Sequence, residues 1–163
     1  MAGIVLTDAS PLIGLARVDG LGWLRTLFEN VWMPVDVRRE VLAGTGPDVK
    51  AIEVAEIAGI LRVWPASSPD YPELPDLDEG ESACIRIGLA YEGNALLLMD
   101  ERAGRALAHE SGLCIAGTAA VIGMAKSKGL IPSAREVFTR LHASDFRISA
   151  SVIDTILHRV GEG

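Results

Sequence analysis

The sequence is poor in aromatic residues and cysteine, and it has no long apolar run. Phe, Trp and Tyr together make up 5% of the 163 residues, which argues against an aromatic-rich all-β fold. Ala, Leu, Ile and Val instead raise the hydrophobic share to 49%, enough for a real core in a helix-rich α/β protein. Cys84 and Cys114 form no CxxC pattern and have no histidine near them, so no zinc site is written here. Both are expected to be buried free thiols in a reducing compartment. No apolar stretch approaches the ~20 residues that span a bilayer, and Asp8 interrupts the start before a signal core could form. A soluble, cytoplasmic protein is expected, with residues 1–163 as one domain that includes a C-terminal helical segment at about 133–160.

Positive charge is also scarce. Fifteen Lys and Arg face 22 Asp and Glu, for a formal charge of −7. That balance disfavours non-specific nucleic-acid binding through global charge. A nucleic-acid enzyme stays open, because bound cations and a local basic rim can reverse the field at a site.

Strand-like and helix-like runs alternate along the chain. Strands are expected at 3–7, 31–33, 60–64, 95–99 and 113–115, the third of them at a sheet edge. Helices are expected from about Ser10-Pro11, where serine can cap and proline needs no donor, and over 21–28. A further helix opens at Pro34. The 44–48 turn places Asp48 to cap the next one, with Val49, Ile52, Val54, Ala55 and Ile57 on or near its buried side. A proline-rich excursion at 65–75 breaks periodicity. Further helices are expected at 79–91, 101–111, 118–128, 133–142 and 149–160. This alternation predicts a parallel sheet with helices on both faces.

Two apolar runs, Ile4–Thr7 and Ala95–Met99, each stop at an aspartate, Asp8 and Asp100. In an open parallel sheet functional groups gather where strands end at their carboxyl side. If the two strands are neighbours, both carboxylates enter one cavity, which is tolerable only with a cation, a shared proton or good solvation. Glu40 and Glu81 stand at the edge of apolar helical faces. Each has a structural alternative: Glu40 as partner of Arg38 or Arg39, and Glu81 in a capping box with Asp78. Asp100 could cap the helix at Glu101. Ser10 and Thr118 either support a carboxylate or a metal-bound water, or are ordinary helix caps.

Rival chemistries lack their residues. His109, His142 and His158 lie in helical segments without i,i+4 metal spacing. There is no GxSxG elbow, no phosphate-binding loop and no GxGxxG after a strand. A phosphatase with Asp8 as nucleophile calls for a second aspartate two residues on, and that position is Ser10.

The sequence resembles the PIN-like nuclease domain, in the DUF3368 branch of toxin-type (VapC-like) PIN proteins. The likeness rests on Ile4-Val5-Leu6-Thr7-Asp8-Ala9-Ser10-Pro11, Pro34-Val35-Asp36-Val37-Arg38-Arg39-Glu40 and Leu77-Asp78-Glu79-Gly80-Glu81. It continues through Leu97-Leu98-Met99-Asp100-Glu101-Arg102, Gly117-Thr118 and Phe146-Arg147-Ile148-Ser149, so nearly the whole chain is covered in order. The resemblance implies a three-layer α/β/α fold with a central parallel sheet, and Asp8, Glu40, Glu81 and Asp100 as the acids that bind Mg²⁺ or Mn²⁺. It implies metal-dependent hydrolysis of RNA, by polarising a phosphodiester and lowering the pKa of a water for in-line attack. Arg102 is a candidate substrate contact. A homodimer and a cognate antitoxin protein are the implied partners. Many toxin-type PIN domains carry an aspartate in a later motif as the third acid, and here a Gly-Glu pair takes that role; Asp78 and Glu101 compete for the assignment. The contrasting readings are a non-catalytic PIN-like module that binds protein or RNA, and a metal phosphohydrolase acting on small phosphate esters.

Overall fold

The computed structural model describes residues 3–163; the first two positions of the expected 1–163 domain lie outside the described residues. Five strands, β1 (Ile4–Thr7), β2 (Val31–Met33), β3 (Leu61–Val63), β4 (Ala95–Leu98) and β5 (Cys114–Ala116), form one sheet in the order β3-β2-β1-β4-β5. Every pairing is parallel. Among the described residues nine helices flank the sheet, giving the three-layer α/β/α architecture. They are α1 (Ala9–Arg17), α2 (Trp23–Phe28), α3 (Val35–Ala43), α4 (Pro47–Ile57), α5 (Glu79–Ala90), α6 (Arg102–Glu110), α7 (Thr118–Ser127), α8 (Ala134–Ala143) and α9 (Ala150–Arg159). None is long and apolar enough to cross a membrane.

The central strands are apolar because helices cover both faces of the sheet. Leu6, Leu97 and Leu98 are fully buried. The edge strand β3 alternates instead, with Leu61 buried and Arg62 exposed. Beyond its end, Trp64 packs edge-on between Trp32 and Tyr91, with ring centroids 5.4 Å and 6.3 Å away. A second apolar cluster joins α7, α8 and α9 through Ile122, Phe138, Leu141, Ile156 and Leu157.

Several local expectations are corrected. Helix α1 begins at Ala9, so Ser10 and Pro11 lie inside its first turn, where proline's missing N–H has no intrahelical role. Helix α4 begins at Pro47 after Gly46, whose φ of 107° suits glycine. Asp48 therefore sits within the first turn rather than capping, and it pairs with Arg17 at 3.0 Å. On the same helix only Ile52 and Ala55 are buried, while Val54 and Ile57 are exposed. Cys84 is buried as expected, but Cys114 is exposed because it opens an edge strand.

The order β3-β2-β1-β4-β5 has one consequence for chemistry. From β1 the chain builds outward through β2 and β3, then returns to build β4 and β5 on the other side. The switch point lies between β1 and β4, where an open α/β sheet leaves a crevice beyond its carboxyl ends. Thr7 pairs with Leu98, and the Asp8 N–H continues the ladder to the Leu98 carbonyl at 2.9 Å. Asp8 and Asp100 thus leave neighbouring strands into that crevice.

Candidate metal centre

Asp8 occupies the position that precedes α1, in extended backbone, yet its side chain makes no capping hydrogen bond. It is 3% exposed. Its Oδ1 is buried and has no hydrogen-bond partner, an arrangement that costs free energy unless something else approaches. Burial pushes its carboxyl up to about 7, with the Asp78, Glu40 and Asp100 carboxylates adding to the rise and the Ala9 amide opposing it. A cation would relieve each of these unfavourable contributions.

Two more acids bring oxygens to the same place. Ligand atoms of Asp8, Glu40 and Asp78 all lie within 4.8 Å of one another. Glu40 comes from α3, near its end, and neither neighbouring arginine takes it. Arg38 binds Glu56, at 2.7 Å through Nε, and Arg39 pairs with Asp36 at 3.3 Å. Its carboxyl is raised by partial burial and by Asp78. In the sequence Asp78 reads as a cap and as a competitor for the third acid. It is a cap, accepting from the Glu81 N–H at 2.8 Å, and it is also a member of the acid cluster. A capping carboxylate has lone pairs to spare, so the two roles are compatible.

Glu81 lies in the first turn of α5 and is buried. Burial, contact with the Asp78 carboxylate and the charges of Asp8 and Glu101 push its carboxyl up to about 8. It faces Gly104 of α6 and stands outside the group formed by Asp8, Glu40 and Asp78. Asp100 is also outside that group but lends its charge to Asp8. It does not cap α6, whose capping residue is Glu101. Instead it is held by three donors: Ser10 Oγ at 3.1 Å, the Thr118 amide at 2.8 Å and Thr118 Oγ1 at 2.7 Å. Ser10 and Thr118 therefore take the carboxylate-supporting option rather than the ordinary-cap option.

Three glycines leave room for these carboxylates. A Cβ on Gly80 would lie 2.9 Å from Asp8 Oδ1 and 3.4 Å from Glu40 Oε1. One on Gly104 would lie 2.7 Å from Glu81 Oε2, and one on Gly117 would lie 2.8 Å from Asp100 Oδ1. None of the three has a positive φ, so space rather than backbone freedom accounts for them. In the sequence, the position of Gly80 between Asp78 and Glu81 is the visible hint of this role.

Beneath the acids, Cys84 is fully buried, and burial with the nearby Asp8 carboxylate pushes its thiol up, leaving it inert. The histidines take no part: His109 and His158 are exposed, and His142 accepts from the Ile148 amide at 3.4 Å. Arg102 is exposed in the first turn of α6. Arg105, one turn later, reaches back to the Met99 carbonyl at 2.9 Å and lines a groove beside Asp100.

The donor set fits a hard divalent cation. It is all carboxylate oxygen, with no soft ligand, as Mg²⁺ and Mn²⁺ prefer. The partnerless Asp8 oxygen and the raised carboxyls are compatible with a cation bound among them.

Comparison with known proteins agrees with this geometry. No curated protein matches the chain. A family model described as PIN domain matches residues 4–162. PIN domains are generally nucleases and typically use divalent metals, and the acid cluster at the sheet's switch point is compatible with that chemistry. With nearly its whole length matched, the chain belongs to the PIN-domain family.

Proposed function

We propose that the chain is a metal-dependent ribonuclease and the toxin of a toxin–antitoxin pair, acting as one domain in the cytoplasm. The observation that carries the nuclease reading is the buried, partnerless Asp8 Oδ1 amid converging carboxylates at the sheet's switch point. The toxin assignment follows from the resemblance to toxin-type PIN proteins.

In this reading Asp8, Glu40 and Asp78 hold Mg²⁺ or Mn²⁺, with Glu81 and Asp100 completing the acid set. When bound, the cation neutralises charge on the phosphodiester, polarises it and eases deprotonation of the attacking water. The chain's own residues do the rest. Ser10 and Thr118 fix the Asp100 carboxylate, so its oxygens need not reorganise during reaction. Gly80 and Gly104 keep side chains away from the carboxylates. Before a cation binds, burial and the neighbouring Asp78 carboxylate raise Glu81 to about 8, so it would give up its proton as the cation arrives. Arg102, exposed in the first turn of α6, is a candidate phosphate contact. No histidine is required as a base. A second copy of the chain and an antitoxin are the proposed protein partners; the exposed Val54 and Ile57 of α4 are apolar surface that such a contact could cover.

The test is RNA cleavage by the purified protein with Mg²⁺ or Mn²⁺, with chelator, and with Asp8→Asn. Metal-dependent cleavage that disappears in the variant supports the reading. Cleavage that survives both chelator and Asp8→Asn contradicts it. Absence of cleavage together with tight RNA or protein binding favours a non-catalytic module.

A further inference from the structure

Asp100 depends on residues from two different helices. Ser10 lies in the first turn of α1 and Thr118 opens α7, and both donate to its carboxylate. These bonds form together only while the two helices keep one spacing. Gly14 stands one helical turn after Ser10, on the same face of α1. A Cβ there would lie 2.9 Å from Phe146 Cζ, 3.0 Å from its Cε2 and 3.2 Å from Thr118 Cγ2. The tip of the Phe146 ring and the Thr118 methyl therefore meet at one point of α1, a turn from Ser10. The backbone that delivers this ring is held on both sides. Asp145 ends α8 in the left-handed region at φ 68°, a conformation that costs an L residue free energy. Its amide bonds the His142 carbonyl at 3.0 Å, and the Phe146 amide bonds the Leu141 carbonyl at 3.2 Å. The Ser144 carbonyl accepts from Arg17, the last residue of α1, at 2.9 Å. A strained turn fixed by its surroundings sets the place of the next side chain and points to a role for it.

We propose that Phe146 is a positioning residue for Asp100: wedged at Gly14 between α1 and α7, its ring sets the spacing at which Ser10 and Thr118 together hold that carboxylate. It acts through those two residues, not by contact with substrate. The proposal rests on the nuclease reading above for its effect on cleavage, and it extends the site to the turn before α9. Close packing transmits small displacements, because the surroundings of a removed ring relax only in part. A carboxylate that has lost its fixed donors must reorganise during reaction, and that cost falls on the chemical step. Phe146 also packs against the second apolar cluster, so the test separates positioning from stability.

The experiment uses the full chain and Phe146→Leu, which stays apolar but withdraws the ring tip from Gly14. With an RNA oligonucleotide and Mn²⁺, kcat is expected to fall about three- to tenfold with KM within about twofold, the mark of an interaction made in the transition state. In a Thr118→Val background the same substitution should cost less than about twofold, because residues acting through one partner are non-additive. Gly14→Ala should lower kcat as well, although helix propensity favours alanine there. Combined with Phe146→Leu it should recover most of the loss, since the new methyl fills what the ring leaves. A second readout needs neither metal nor RNA. In the metal-free protein the Thr118 amide, which donates to Asp100, should exchange with deuterium about tenfold faster in Phe146→Leu relative to the amides in the body of α7. A variant that melts lower yet keeps kcat and that exchange ratio is a core substitution, and it overturns the proposal. Full additivity with Thr118→Val overturns it too, as does a raised KM with unchanged kcat, which would put the ring against RNA. If the parent chain does not cut RNA with Mg²⁺ or Mn²⁺, the nuclease reading fails, while the Thr118 exchange still decides the role of Phe146.

Discussion

Asp8 and Asp100 leave adjacent parallel strands at the same end of the sheet, yet their surroundings are opposite. Asp100 is half-buried and accepts three hydrogen bonds from Ser10 and Thr118. Asp8 is buried, has an oxygen with no partner, and is pushed up to about 7 among Asp78, Glu40 and Asp100. The protein itself satisfies one aspartate and leaves Oδ1 of the other without a partner. The contrast is compatible with a cation beside Asp8 rather than beside Asp100.

The largest expected effect comes from removing the charge at the unsatisfied end. Asp8→Asn should lower RNA cleavage by at least about 10²-fold, the scale seen when one electrostatic group leaves a catalytic site. It should also raise the melting temperature of the metal-free protein at pH 8, because a buried repulsion disappears. Loss of activity and gain of stability from one substitution would separate a metal ligand from a core residue.

Next is the space around that carboxylate. Gly80→Ala lies in the first turn of α5, where helix propensity alone favours alanine by about 1 kcal/mol. The added Cβ would lie 2.9 Å from Asp8 Oδ1, closer than real contacts allow, so the site should lose what the helix gains. Metal affinity, followed by Mn²⁺ titration, should fall about 10- to 100-fold, the range seen when a ligand's support is disturbed. Wild-type affinity in this variant would mean that the cation does not sit against Asp8.

The satisfied end should respond less. Thr118→Val removes one of three donors to Asp100 and leaves the amide and Ser10 in place. Stability should drop by about 1 kcal/mol, as for one hydrogen bond, with cleavage reduced several-fold and metal affinity nearly unchanged. An effect as large as that of Asp8→Asn would erase the distinction drawn between the two aspartates.

A further expected effect is a pH dependence with a definite sign. Asp8 rises from an ordinary 3.8 to about 7 in the fold, and Glu81 from 4.5 to about 8. Between each pair of values the folded chain holds a proton that the unfolded chain has released. Stability of the chelated protein therefore falls as pH rises from about 4 to about 8. Added Mn²⁺ should raise the melting temperature more at pH 8 than at pH 5, where it competes with those protons. Melting curves that are flat with pH in chelator would remove the electrostatic half of the comparison.

Much of this architecture was legible in the sequence. All five strands and all nine helices of the described residues stand within a few positions of where periodicity put them. Buried parallel strands announce themselves by apolar runs with abrupt polar stops, and Asp8 and Asp100 are such stops. The acid arrangement was less legible. Whether Asp78 reaches Asp8 and Glu40 depends on how the chain returns to α5 after the 65–75 excursion, which no local pattern encodes, and its capping role disguised it. Glu81 lies on the same helical turn as Gly80 but faces Gly104, a contact between helices. Arg147 and Arg159 line the groove beside Asp100 only because α9 packs on α7, a contact that no local pattern encodes. Val54 and Ile57 read as core on an apolar helix and are surface.

The most direct test of the central claim is calorimetric titration of Mn²⁺ into the metal-free protein at pH 7, repeated in two buffers of different ionisation enthalpy. The account predicts saturable binding with net proton release, since cation and protons compete for Asp8 and Glu81, and predicts that Asp8→Asn loses both the affinity and most of the released proton. Binding of equal strength in Asp8→Asn, or no saturable binding by the parent chain, would contradict it.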